Sequence, residues 1–171
     1  MLAVARGDEA AFEELLRRHG DSAWRLACRF LADASEAQDV VQEAFLNILR
    51  AAPRYRATAA FRTYLARVVS RLCLDRARKK RPSYMEMPPE RPDREPPAID
   101  GIAARERDRA VRRALEDLPP KQRMTVVLAY YEGLGHRRIA ETLEISQKAA
   151  ERLLSRGRAA LEGRLRKWVE E

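Results

Sequence analysis

Apolar residues recur along most of the chain at three- and four-residue spacing, the period of an amphipathic helix, rather than in the alternation of a half-buried strand. Ala11, Phe12, Leu15 and Leu16 open the first such segment, and Trp24, Leu26, Ala27, Phe30 and Leu31 either continue it or form a second. Asp33 or Ser35 can cap a helix that carries Val40, Val41, Ala44, Phe45, Ile48 and Leu49 inward. Pro53 stops it. The pattern predicts a further helix over about 59–80, with Phe61, Leu65, Val68, Val69 and Leu72 inward and Arg62, Arg67, Arg71 and Arg78 largely outward.

The periodicity then breaks. "RPSYMEMPPERPDREPPAIDG", residues 81–101, holds six of the nine prolines of the chain. Proline lacks an amide donor and turns the preceding residue away from helix, so an extended tether is expected here. It divides the chain into an N-terminal domain (1–81), a linker (82–101) and a C-terminal domain (102–171). Beyond it, a charged helix over 105–118 ends at Pro119, and Pro120 can open the next, over 121–132. Gly133 and Gly135 interrupt, and two last helices are expected over 136–143 and from Ser146 to about Trp168. The fold class is all-α: two small helical domains joined by a Pro-rich linker.

Charge changes this picture more than overall composition does. The net charge is +8 and the pI about 10.0, which favours acidic partners. The surplus is local. Residues 54–81 hold ten Lys/Arg against the single Asp75, whereas residues 1–53 hold six basic against nine acidic residues. Cys28 and Cys73 stand far apart, with no CxxC or His pair, so no disulfide framework, zinc site or other metal is expected. The opening "MLAVARGDEAAFEELL" meets acids before any long apolar run, which does not fit a signal peptide, and no stretch has membrane-spanning length. The expectation is a cytoplasmic protein without membrane insertion.

The stretch "IAETLEISQKAAERLLSRGRAAL", residues 139–161, carries the most specific local pattern. Ile139, Ala140 and Leu143 form one apolar face, Ile145 plugs a turn, and Ser146 caps a second helix that buries Ala149, Ala150, Leu153 and Leu154. Its other face is polar and mostly basic. A short helix, a tight turn and a longer helix with such a face make a helix-turn-helix, whose second helix can enter the major groove of DNA.

Four blocks now stand in order: "DVVQEAFLNILR" (39–50), "FRTYLARVVSRLCLDRARKKR" (61–81), "LEDLPPKQRMTVVLAYYEGL" (115–134) and the helix-turn-helix. Together they resemble the extracytoplasmic-function (ECF) sigma factors of bacterial RNA polymerase, over nearly the whole chain. The resemblance implies that the segment similar to DVVQEAF packs on the clamp helices of the largest polymerase subunit, through Asp39, Gln42 and Glu43 with Phe45 and Leu46 nearby. It implies that the second block serves the promoter element called -10. There Arg54, Arg62, Arg67, Arg71, Arg76, Arg78, Lys79 and Lys80 would hold phosphates, and Tyr55, Phe61 and Tyr64 would stack on unpaired bases. Phe61 suits a core position equally well.

For the -35 element the resemblance implies direct contacts from Lys148, Arg152, Ser155 and Arg156, with Arg137, Arg138 and Arg158 on the backbone. The chain departs from the family pattern in four places: Tyr64 where Trp is common, Arg71 where Asn is common, Gly135 for a Ser or Thr cap, and Glu144 for a turn glycine. Glu144 implies a turn that avoids the left-handed conformation.

The resulting reading is a transcription initiation factor that binds core RNA polymerase and promoter DNA. An anti-sigma partner follows from the resemblance alone. Two rivals are a sigma-like decoy for a regulatory protein and a free-standing helix-turn-helix regulator, although the first leaves the ten-to-one charge imbalance unused and the second leaves the N-terminal domain unused. An enzyme is not expected. His19, read as a helix-end residue, and His136, read as a first-turn surface residue, lack a nucleophile-and-acid set, and no glycine-rich phosphate loop or cofactor signature is present.

Overall fold

The computed structural model describes residues 1–57, 60–79 and 102–166. The expected linker (82–101), Lys80 and Trp168 lie outside the described residues. Helix α1 (Glu9–Leu31) starts where the Asp8 carboxylate accepts the Ala11 amide proton at 2.9 Å, satisfying one of the free donors of the first turn. It is one continuous helix, and His19 sits in its middle rather than at an end. Asp33 repeats the device for α2 (Ala34–Ala51), accepting from the Glu36 amide at 3.0 Å. Only Ala32, in the left-handed region at φ 55°, and Asp33 separate the two helices, so they pack as an antiparallel hairpin. A short 3-10 turn, Ala52–Arg54, contains Pro53, and α3 (Phe61–Lys79) then lies against both.

Small residues let these three helices come close. Ala27, Ala37 and Ala44 are fully buried beside Phe30, Val40, Ile48, Val69 and Cys73. Burial pushes the Cys73 thiol up to about 12, so it stays protonated and packs as a small apolar side chain.

In the second half, α4 (Ile102–Glu116) ends before the Pro119–Pro120 pair, and Pro120 occupies the first position of α5 (Pro120–Tyr130), where its missing donor costs nothing. Then follow α6 (His136–Leu143) and α7 (Gln147–Leu165). Gly157 explains itself by packing. A Cβ placed on it would stand 2.7 Å from Val126 Cγ2 and 3.6 Å from the Gln122 carbonyl oxygen. Gly157→Ala is therefore expected to lower stability by about 1 kcal/mol, because forced repacking of the stiff Val126 outweighs the gain in helix propensity. Thermal unfolding of the variant checks this.

Helix α5 joins the two halves. Met124 to Leu128 are all buried, so this helix has no solvent face along that stretch. One side packs on α7 with Leu115, Leu118 and Leu154 around Val126. The other carries Met124, Val127 and Leu128 into the core of α1–α3, where Ile139, Ala140 and Ala150 follow. The helices before and after the Pro-rich segment thus share one apolar core.

Candidate nucleic-acid interface

The helix-turn-helix is built by three local decisions. Gly135 caps α6 without a side-chain bond, and Ser146 Oγ accepts the Ala149 amide at 3.2 Å to start α7. Between them Glu144 takes φ 54° and ψ 45°, and the amides of Glu144 and Ile145 both turn back to the Ala140 carbonyl. The expectation that this turn avoids the left-handed region is therefore wrong. Joining two helices across three residues requires one residue that reverses the chain while closing the last carbonyls, and that demand overrides the preference of Glu. Relief of this strain exceeds the value of an exposed ion pair, so Glu144→Gly is expected to stabilise the chain by about 0.5–1 kcal/mol, seen as a higher unfolding temperature.

All seven residues assigned from sequence to upstream DNA are exposed: Arg137, Arg138, Lys148, Arg152, Ser155, Arg156 and Arg158. Lys148, Arg152 and Ser155 follow one another at helical spacing on α7, and Ala150, Leu154 and Gly157 are buried on the opposite side. Arg137 approaches Glu141 at 3.8 Å, and Gln147 donates to Glu151 at 3.0 Å, leaving the row from Lys148 to Arg156 clear.

On α3 the picture is less open. Arg54, Arg71 and Lys79 are exposed, and Arg78 pairs with Asp75 at 2.6 Å. Arg76 instead reaches α2, standing 3.2 Å from Glu43 and 3.7 Å from Asp39. It acts as a tie between helices. Arg62 and Arg67 reach across to the second half, to Glu132 at 3.1 Å and Glu144 at 3.7 Å. The aromatic candidates form a cluster. Tyr55 and Tyr64 meet edge-on at 5.3 Å between centroids, Phe61 lies 6.4 Å from Tyr64, and Phe61 stacks tilted on His19 at 4.9 Å. Burial, with the nearby Arg18 and Arg62 charges, lowers the His19 pKa, so its ring is neutral at pH 7 and serves as a packing surface.

On α2, Asp39, Gln42, Glu43 and Leu46 share an exposed face. Phe45 does not belong to it. It is 3% exposed and lies edge-on to Phe12, because it continues the buried stripe of Val41, Ala44 and Ile48. Leu49, read from sequence as inward, is 41% exposed and extends the Leu46 surface. The face thus joins carboxylates, partly neutralised by Arg76, to two bare leucines.

Sequence reasoning missed Arg123. Its guanidinium donates to the Phe30 carbonyl at 3.0 Å, to the Leu118 carbonyl at 3.4 Å and to the Glu116 carbonyl, and lies 5.3 Å from the Phe30 ring centroid. Burial lowers its pKa, opposed by Glu116 and Asp117. The visible signal was a lone Arg beside the apolar run of α5. Among the described residues there is no group of three or more His, Cys, Asp or Glu placed to hold a metal, and no helix long and apolar enough to cross a membrane.

Comparison with known proteins bears on this arrangement directly. Residues 15–82 match the family Sigma-70 region 2, and residues 108–161 match Sigma-70, region 4. The ECF RNA polymerase sigma factor SigE of Mycolicibacterium smegmatis is 35% identical over 98% of this chain and 67% of its own length, and SigM of Mycobacterium tuberculosis is 34% identical over 94% and 80%. The chain belongs to the ECF sigma factors. As a sigma factor it is a transcription initiation factor. A solved structure of CnrH in complex with the cytosolic domain of CnrY superposes with a TM-score of 0.72, at 27% identity, over 96% of this chain and 93% of that one. The sigma factor RpoE bound to the anti-sigma factor NepR, from Bartonella quintana, shares the fold with a TM-score of 0.68 at 16% identity, over 91% of this chain and 97% of that one.

Proposed function

We propose that this sigma factor uses three surfaces, one for polymerase and two for promoter DNA. The exposed face of α2, with Asp39, Gln42, Glu43, Leu46 and Leu49, docks on the clamp helices of the largest subunit of core RNA polymerase. Carboxylates with a bare apolar centre suit a basic helical partner. Arg54, Arg62, Arg67, Arg71, Arg78 and Lys79 hold phosphates at the -10 element, and the Tyr55–Tyr64 pair offers stacking faces for unpaired bases. Helix α7 enters the major groove at the -35 element through Lys148, Arg152, Ser155 and Arg156, flanked by Arg137, Arg138 and Arg158 on phosphates.

The observation that carries this reading is the clear basic row on α7, set by a capped turn opposite a fully packed face. Residues 82–101 serve as a tether between a -10 unit (1–81) and a -35 unit (102–171), so that weak contacts reinforce each other at a preferred spacing. The protein works in the cytoplasm and leaves the chemistry to polymerase. An anti-sigma protein controls it, a role supported by the bound partners of the CnrH and RpoE structures.

A reconstituted assay tests the proposal. Core polymerase plus this protein, given a genomic promoter library, is expected to yield discrete transcripts sharing two upstream elements. No promoter-dependent transcript from any template sinks it.

A further inference from the structure

A single acid interrupts the basic face of α7. From Gln147 to Arg158 the helix carries Lys148, Arg152, Arg156 and Arg158, and Glu151 is the lone carboxylate among them. It falls in the first two turns, the part of a recognition helix that reaches base edges, beside Arg152 and one turn before Ser155. A carboxylate placed there faces the phosphates of the duplex and weakens binding to every sequence alike.

The ordinary use of such an acid is to neutralise a cation one turn away. Glu151 is not used so. Its Oε1 accepts from Gln147 Nε2 at 3.0 Å and stands 4.0 Å from Nδ1 of His136, the first residue of α6. Lys148 and Arg152 pair with no acid among the described residues. Held from α7 on one side and flanked by α6 on the other, the carboxylate has a fixed orientation, and its side chain is 45% exposed.

A carboxylate can only accept hydrogen bonds. In the major groove guanine shows it O6 and N7 and thymine shows O4, all acceptors that repel it. Adenine offers the N6 amino group beside the acceptor N7, whereas cytosine offers the N4 amino group with no acceptor on the same base edge. Cytosine is therefore the base that suits the free oxygen, Oε2.

We propose that Glu151 selects cytosine at one position of the -35 element through Oε2, and that Gln147 is the positioning residue that aims it. The inference rests on the reading of α7 as the -35 helix and adds to it a residue of opposite sign. Lys148, Arg152 and Arg156 draw the helix toward phosphates and guanine edges, and Glu151 rejects wrong bases, so that specificity comes from repulsion as well as attraction.

The test uses holoenzyme assembled from core polymerase and the full chain, on a promoter recovered in the transcription assay with its -35 element randomised and the transcripts sequenced. Wild type is expected to enrich cytosine about fivefold over the other bases at one position, the scale of a single base contact. Glu151→Ala should flatten that position. Glu151→Gln should move it toward adenine, whose N6 and N7 a carboxamide binds together. Gln147→Ala should lower the cytosine enrichment without changing the preferred base. Glu162→Gln makes the same charge change as Glu151→Gln at an exposed position near the far end of α7, and should leave the profile as in wild type. A role confined to bracing α6 against α7 would lower output from all templates equally and leave every base preference in place.

The selection is overturned if no position favours cytosine, if Glu151→Ala leaves that preference intact, or if Glu162→Gln removes it as well. An enrichment unmoved by Gln147→Ala overturns the positioning role. Promoter-dependent transcripts with an unmoved profile reject the assignment of Glu151 and leave the sigma reading standing, whereas absence of transcripts with wild type rejects the sigma reading and this inference with it.

Discussion

Arg152→Ala and Arg156→Ala are each expected to weaken binding to upstream duplex by about 1–3 kcal/mol where the side chain forks onto a guanine edge, a tenfold to hundredfold loss. Both residues stand on the exposed side of α7, opposite Ala150, Leu154 and Gly157, so truncation leaves the core untouched. The unfolding temperature should therefore stay near that of wild type. Salt titration divides the two roles. Removing a side chain that holds a phosphate lowers the slope of log affinity against log salt by about one and weakens all sequences alike, whereas removing one that reads a base relaxes specificity at one position. Duplex from a promoter recovered in the transcription assay is the substrate. If affinity and promoter profile are both unchanged, the residue is not in the site.

Arg123→Ala is expected to cost about 2–3 kcal/mol of stability, the largest fold effect of any single change considered, since it strands buried carbonyl groups. The side chain donates to the Phe30 carbonyl in the last turn of α1, to the Glu116 carbonyl at the end of α4 and to the Leu118 carbonyl just beyond it. Its positive charge also suits both helix C-termini. In a chain of this size the loss reads as a fall of about 4–12 °C in unfolding temperature. Arg123→Lys should recover little, because a single ammonium cannot fork to carbonyls on two elements. Arg123→Met keeps the packed stem and separates the hydrogen bonds from the packing. A melting curve unmoved by Arg123→Ala removes the residue as a link between the halves.

Helices and caps were legible because their causes are local. Asp33 and Ser146 announce their helices through a side-chain oxygen three residues from an amide, and Pro120 through a fixed φ; the structure places all three at helix starts. The exposed row of α7 follows from helical spacing alone. Phe45 and Leu49 show where this fails. Both are apolar on α2, and the packing of the helix pair, with Phe12 edge-on to Phe45, buries Phe45 and leaves Leu49 41% exposed. Glu144 fails for another reason: residue preference predicts the conformation a residue favours when free, and the geometry of joining α6 to α7 imposed a different one.

By itself, then, the sequence determined an all-helical chain, the positions of its helix starts, the basic turn-linked pair near its end, and membership in a sigma-factor family. Those properties depend on residues within a few positions of one another, or on the order of motifs. Tertiary structure alone decided that Arg123 would cap a helix 93 positions away in sequence, and that Arg62 would meet Glu132 at a separation of 70. It also decided that Arg76 would spend its charge on Asp39 and Glu43. A charge in the sequence has a sign but no neighbour, and the neighbours come only when apolar faces on separate helices find one core.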